Sequence, residues 1–206
     1  MDNRRPIVFV VDDDLSVCMA LSLLLKSHGF NVQTFTRSAD FLACKHPKVP
    51  SCLVLDVQLP NINGFALQEA MSARKLAIPI VFITGYGDIP MSVKGMKAGA
   101  IDFIPKPFTK KKLLDAITQA IAKNKIQIKE QAEISKIKRR IKTLSLRELE
   151  VFRLVAKGML SKQIARKRGT VLQTIKVHRG RVMQKMQAKT VTELIRFAQK
   201  AGIIPS

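Results

Sequence analysis

Four short runs of this chain are apolar without alternation: PIVFVV over 6–11, CLVLDV over 52–57, PIVFIT over 79–84 and IDFI over 101–104. Rich in β-branched residues, they read as parallel strands buried on both faces. In an open α/β sheet a ligand site lies beyond the carboxyl ends of the strands. At those ends stand Asp12, Asp13 and Asp14, then Asp56, Thr84 and Lys106. Any one acid at a strand end is an ordinary solvated cap, but four groups at successive strand ends, in order, describe one pocket. Carboxylates that meet there repel one another unless a hard cation sits between them, and Mg²⁺ with oxygen ligands is the usual one. A lysine and a hydroxyl beside that cation suit a phosphoryl group.

Beyond residue 110 the pattern turns helical. The stretch 113–144 lacks Gly and Pro, so it reads as a largely continuous helix. Its stripe of Ile134, Ile137, Ile141 and Leu144 is too short for a convincing coiled coil and suits a helix lying on its own protein. Ser145 with Glu148 is a capping box opening a helix with Leu149, Phe152, Val155 and Ala156 inward and Gly158 after its end. Ser161 can cap a second, short helix that stops before Gly169. A third spans about 172–187, and Thr190 with Glu193 opens a fourth that reaches Ala201. A short helix, a glycine turn and a longer polar helix make a helix-turn-helix.

In the third helix Ile175, His178, Val182 and Met186 form the inward stripe. The opposite face carries Gln173, Lys176, Val177, Gly180, Arg181 and Gln184, with Thr174 among the candidate contacts. Such a face suits a major groove: Lys176 can donate to guanine, Gln173 can read adenine and Val177 can touch a thymine methyl. Lys162 is placed for a phosphate contact. Arg179 lies only about 40° from Ile175 at ~100° per residue, so a pairing with Glu148 or Glu150 is expected. Lys185 and Lys189 suit a solvated face as well as a DNA contact.

Charge sharpens this division. Of the 206 residues, 1–125 carry 16 basic against 10 acidic side chains, and 126–206 carry 20 against 5. An excess of +15 in the second part is the footprint of nucleic-acid binding, although anionic membrane surfaces attract it too. No apolar run is long enough to span a membrane, and Asp2 with the early triple acid spoils a signal peptide, so a cytoplasmic location without membrane attachment is expected. Cys18, Cys44 and Cys52 show no metal-ligand spacing and read as reduced thiols. Neither a Walker A sequence nor a kinase-type glycine loop is present, so the expected role is that of an acceptor, not an enzyme.

The segments VVDDD from Val10, LDVQLPNINGF from Leu55 and ITGYGDIPMSVKGMKAGAIDFIPKPF from Ile83 resemble the receiver domain of two-component response regulators. LSLRELEVFRLVAKG from Leu144, SKQIA from Ser161, TIKVHRGRVMQKM from Thr174 and TVTELIRFAQKAGI from Thr190 resemble the LuxR/NarL-type DNA-binding domain. Together they are similar to FixJ-type regulators. The resemblance implies a doubly wound α/β receiver with a five-stranded parallel sheet of the flavodoxin-like kind over 1–122, a helical linker over 123–142 and an all-α four-helix helix-turn-helix domain over 143–206. It implies Asp56 as phosphoacceptor, Asp12, Asp13, Asp56 and the Gln58 carbonyl as the Mg²⁺ set, Thr84 and Lys106 as phosphoryl contacts, and Phe103 as the aromatic switch. A cis peptide before Pro107 also follows from it.

The function so implied is a phosphorylation-controlled transcription regulator in a phosphorelay. Its partners would be a sensor histidine kinase, double-stranded DNA, RNA polymerase and a second copy of itself, docked through roughly Met91 to Lys112. The competing reading is a constitutive, weakly specific DNA-coating protein with a vestigial receiver. Three positions depart from the LuxR-type pattern. Arg168 replaces an aliphatic residue and must snorkel or find a partner, Val171 replaces a capping Ser unless Thr170 takes over, and Arg181 stands where Asn is frequent. The expected consequences are lower stability and tighter, less selective DNA binding.

Overall fold

The computed structural model describes residues 5–60, 63–85, 93 and 95–205. Asp2, and the parts of the motifs on residues 61–62, 86–92 and 94, including Met91, lie outside the described residues. Five strands form one sheet: β1 (Ile7–Val11), β2 (Asn31–Phe35), β3 (Ser51–Asp56), β4 (Ile80–Thr84) and β5 (Asp102–Pro105). All neighbours are parallel, in the order β2-β1-β3-β4-β5. The described helices in this part are α1 (Leu15–Ser27), α2 (Ser38–Ala43), α3 (Gly64–Ala73) and the start of α4 (Lys110–Ile141).

Strand alternation sorts the apolar residues into two cores. Val8, Val10, Cys52, Val54, Val81, Ile83 and Ile104 face α1 and α4, which bring Leu21, Leu25, Leu113 and Ile117. Phe9, Val11, Leu53, Leu55, Ile80 and Phe82 face α2 and α3, which bring Phe41, Phe65, Leu67 and Met71. Both faces of β1, β3 and β4 are therefore covered, which is why their sequences read as unbroken apolar runs. β2 is not among those runs: NVQTF lies at the sheet edge, each residue exposed or half-buried, so burial does not select its composition.

One close approach holds the end of β3. A Cβ on Gly64 would lie 2.6 Å from the Asp56 carbonyl oxygen, so only glycine lets α3 begin against that strand. Asn63 then caps α3, accepting from the Ala66 N–H at 2.8 Å. At the other end of the sheet Asn124 of α4 is 2% exposed. It accepts from the Ser51 N–H at 2.9 Å and donates to the Ala77 carbonyl at 2.9 Å.

The chain divides into compact units at 1–128 and 129–206, and the division falls inside α4, in the segment expected as a linker. The second unit holds the end of α4 with α5 (Leu146–Ala156), α6 (Ser161–Arg168), α7 (Leu172–Met186) and α8 (Val191–Lys200). Val151, Phe152, Val155, Ile164, Ile175, Val182, Met186, Leu194 and Phe197 form its core. Ile137 joins them at 1% exposure, with Ile141 and Leu144 packed alongside, so these three positions of the stripe lie on their own unit, while half-buried Ile134 stands outside that core.

Glu148 is the notable buried charge of this unit. It closes the capping box, its Oε2 accepting from the Ser145 N–H at 2.8 Å while its own N–H donates to Ser145 Oγ. The same oxygen accepts from Lys185 Nζ at 2.6 Å. The Lys185 hydrogen bond, followed by that from the Ser145 backbone, holds the Glu148 carboxyl below the usual carboxylate range.

Several expectations are corrected here. Arg179 pairs with neither Glu148 nor Glu150: its Nη1 donates to Ser161 Oγ at 3.1 Å. Lys185 occupies Glu148, and Glu150 accepts from Arg168 and Arg147. Arg168 thus finds a partner at the surface. Ser161 is the first helical residue of α6, not its cap; Leu160 holds the cap position, its N–H donating to Gln163 Oε1 at 2.8 Å. Val171 is the N-cap of α7 and no side chain caps it, so Thr170 does not take over. His178 of the inward stripe is half-buried, its Nδ1 shielded without a hydrogen-bond partner among the described residues.

Two outcomes follow. Asn124→Ala leaves the buried Ser51 N–H unpaired and removes the bond to the Ala77 carbonyl, so urea unfolding of the N-terminal unit should show a loss of about 1–3 kcal/mol; an unchanged midpoint would show that water replaces the amide without cost. Because the folded pKa of Glu148 is depressed, its stabilisation is complete above its unfolded pKa and is lost as pH falls through the folded value. Melting of the C-terminal unit should therefore weaken on acidification through and below the usual carboxylate range, and Glu148→Gln should flatten that dependence. Identical pH profiles for the two proteins would remove Glu148 from this role.

Candidate functional site

The sheet order reverses at β1, so the chain ends of β1 and β3 part there and leave a crevice at their carboxyl edge. Register places Val11 opposite Leu55 and Asp56 opposite Ile83, bringing the residues that follow β1 beside the end of β3. Asp12 follows β1, its N–H bonded to the Phe35 carbonyl at 3.2 Å. Lys106 follows β5, and its N–H donates to the Thr84 carbonyl at 2.7 Å. Asp12, Asp13, Asp56, Gln58 and Lys106 line one open cavity of about 560 Å³.

Its centre is a contest of like charges. Asp12, Asp13 and Asp56 can offer one oxygen each within 4.8 Å of one another. Lys106 Nζ donates to Asp56 Oδ2 at 2.7 Å and to Asp12 Oδ2 at 2.9 Å. The other oxygens of those acids are held locally: Asp56 Oδ1 accepts from the Gln58 N–H and Asp12 Oδ1 from the Asp14 N–H, each at 2.9 Å. Burial pushes the Asp12 carboxyl up against the opposing pull of Lys106. Burial also acts to lower the Lys106 pKa, but its hydrogen bonds to Asp56 and Asp12 outweigh this and raise it. Asp13 is exposed at the mouth, while Asp12 and Asp56 are buried.

Thr84 and Phe103 are not among the described residues that line this cavity. Thr84, at the end of β4, is fully shielded from solvent. Phe103 is half-buried on β5, its ring 5.9 Å from that of Phe82. The Lys106–Pro107 peptide is cis. Asp14 has a different task from its two neighbours: it caps α1, accepting from the Ser16 N–H at 2.7 Å. Asn63 and Phe65 also line the cavity and were not singled out from the sequence. The helix-capping preference of Asn offers a signal for the first; nothing local marks the second.

A second surface lies on the C-terminal unit. Gln173, Thr174, Lys176, Val177, Gly180, Arg181 and Gln184 of α7 are all exposed, while Ile175, Val182 and Met186 are buried. Lys176, Gly180 and Gln184 fall in one row at four-residue spacing, with the glycine leaving a gap between two polar side chains. Lys162 is exposed near the start of α6, whose C-cap Gly169 adopts φ +60 to turn the chain toward α7. Lys185 is committed to Glu148 and the Thr143 carbonyl. Among the described helices none is long and apolar enough to cross a membrane.

Comparison with known proteins gives the two units their families. Residues 8–118 match the response regulator receiver domain, and residues 142–198 match the bacterial regulatory proteins of the luxR family. Nodulation protein W of Bradyrhizobium diazoefficiens is 43% identical over 98% of this chain and 88% of its own. The transcriptional regulatory protein FixJ of the same organism is 38% identical over 96% of each chain. Among solved structures, the response regulator StyR is 43% identical with a TM-score of 0.82, over 96% of this chain and all of that one (100%). Full-length FixJ from B. japonicum is 37% identical with a TM-score of 0.55, over 96% and 98% of the two chains. With both families matched in order on one chain and relatives aligned along nearly its whole length, the protein belongs to the FixJ-type response regulators, two-component transcription regulators controlled by phosphorylation of a receiver domain and carrying a LuxR-type DNA-binding domain.

Proposed function

We propose that Asp56 is the residue that takes the phosphoryl group. The observation that carries this reading is the meeting of Asp12, Asp13 and Asp56 in one cavity with the Lys106 ammonium on Asp56 Oδ2 at 2.7 Å. Asp56 ends its strand mostly buried in the lining of the open cavity, through which an incoming group reaches its carboxylate. Its oxygen forms the new bond to phosphorus as the bond from phosphorus to the donor nitrogen of a kinase histidine breaks. Lys106 then moves its hydrogen bonding to the transferred oxygens, and the Thr84 hydroxyl approaches from the end of β4. The donor set of three carboxylates fits Mg²⁺, which Asp12, Asp13, Asp56 and the Gln58 carbonyl would hold, and which supplies positive charge against the phosphoryl oxygens. The chain is a phosphoacceptor, and slow autodephosphorylation is the most it does as a catalyst.

The modification turns a singly charged carboxylate into a phosphoryl group of about two negative charges with three acceptor oxygens. Moving an equilibrium from 1:99 to 99:1 takes about 5.5 kcal/mol, which several charge-assisted hydrogen bonds at a partly buried group can supply. Phe103 packs on Phe82 in the same sheet and turns inward as Thr84 shifts. The partner surface is the segment ending at Lys112, where Val93 and Met96 are exposed apolar side chains. Dimers formed there present two copies of α7 to a two-fold operator, and RNA polymerase follows as the next partner of a bound regulator in the cytoplasm. Gln173, Lys176, Val177 and Arg181 read bases, Thr174, Gly180 and Gln184 complete the face, and Lys162 contacts phosphate.

Asp56→Asn should abolish the mass gain produced by a small phosphodonor with Mg²⁺, because an amide forms no acyl phosphate; labelling that persists would remove Asp56 from the role. Lys176→Ala should cost about 1–3 kcal/mol on the preferred duplex and relax preference at one base pair. Lys162→Ala should weaken binding to all duplexes alike and lower the slope of log affinity against log salt by about one. Equal losses on preferred and scrambled DNA for Lys176→Ala would make it a phosphate anchor and shift the reading to Gln173, Val177 and Arg181.

A further inference from the structure

The C-terminal unit carries a second basic surface, apart from the face of α7. The end of α4 runs Lys136, Ile137, Lys138, Arg139, Arg140, Ile141 and Lys142, with no acid among them. Lys136, Lys138, Arg139 and Lys142 are exposed, and none of them is in an ion pair among the described residues. Their position is fixed within the unit. Ile137 is buried in its core, and Arg140 Nη1 donates to the Met186 carbonyl at 3.1 Å. Arg140 also bonds Gln187 Oε1, and Lys185 Nζ reaches the Thr143 carbonyl at 3.2 Å. The basic turn is therefore clamped to the C-terminal end of α7.

Helix electrostatics alone does not account for it. Cations near a helix C-terminus favour the macrodipole, a benefit confined to the last turn that reaches Lys138 and Arg139 but not Lys136. Lys136 with Arg140, and Lys138 with Lys142, are like charges four residues apart, a spacing that destabilises a helix. A polyanion relieves that repulsion. With 15 residues, α7 is about 22 Å long at 1.5 Å per residue, whereas the major groove is about 12 Å wide. A helix seated in the groove thus extends toward the phosphate backbone at its ends, and the clamped turn of α4 travels with its C-terminal end.

We infer that Lys136, Lys138, Arg139 and Lys142 form a phosphate-binding surface that grips duplex DNA beside the bases that α7 reads. This rests on the reading of α7 as the DNA-reading helix. It gives the end of α4 a direct part in affinity and none in base preference.

The test uses the full chain and a mixed-sequence duplex of about 30 base pairs, titrated across a salt series. The variant replaces all four side chains with Gln, leaving the Arg140 clamp in place. Its affinity should fall, and its slope of log affinity against log salt should become shallower by about two, or about 0.9 for each of at least two lost phosphate contacts. Preference between a pool-selected duplex and a scrambled one should stay the same. A thermal melt accompanies the titration: a variant that melts differently while keeping the wild-type slope overturns the inference and leaves these residues a helix-stability role. If wild-type protein shows no salt-dependent binding to any duplex, the reading of α7 fails and this inference with it. Wild-type binding with an unchanged slope in the variant overturns this inference alone.

Discussion

Three carboxylates held together at the edge of a parallel sheet set the central constraint of the receiver unit. Asp12 and Asp56 are buried at the ends of adjacent strands, and neither can retreat, because β1 and β3 are packed on both faces. Their repulsion is offset by the Lys106 ammonium, delivered from the far side by β5 through hydrogen bonds of 2.7 and 2.9 Å. A cation entering a site built this way would take over part of what Lys106 now does and leave the ammonium able to meet an incoming anion. The glycine at position 64 belongs to the same constraint: α3 starts against the Asp56 carbonyl and fixes the rim of the cavity.

The second unit solves an opposite electrostatic problem. It carries a large excess of positive charge with few acids, and most of those acids are spent on architecture. Glu148 closes a capping box and binds Lys185, Glu150 serves Arg168 and Arg147, and Glu133 binds Lys200. Among the described residues, exposed basic side chains outside any ion pair remain on α7, at the start of α6 and at the end of α4. Neutralising the structural lysines and arginines internally leaves the others available to an external anion.

The pocket was legible because its chemistry is tied to strand ends, and strand ends can be found wherever burial on both faces writes an unbroken apolar run. β2 escaped that pattern: at the edge, with polar Asn31, Gln33 and Thr34, it is held by backbone pairing to β1. In the C-terminal unit, periodicity separated the buried from the exposed side of α7. It could not choose partners for long charged side chains. Arg179 was expected on Glu148 or Glu150 and meets Ser161, because α6 packs where the sequence gives no distance.

By itself, then, the sequence determined the local and the periodic: four strands, the helices of the second part, the acids at strand ends, the charge asymmetry and the exposed face of α7. Each of these follows from burial repeating at two or about 3.6 residues or from composition, which need no knowledge of distant neighbours. Tertiary structure decided the rest. It gave Asp14 to a helix cap while clustering Asp12 and Asp13 with Asp56, put Asn124 between Ser51 and Ala77, and clamped Arg140 to the end of α7. Those choices depend on which side chains arrive at one place from distant parts of the chain, and a one-dimensional pattern carries no such distances.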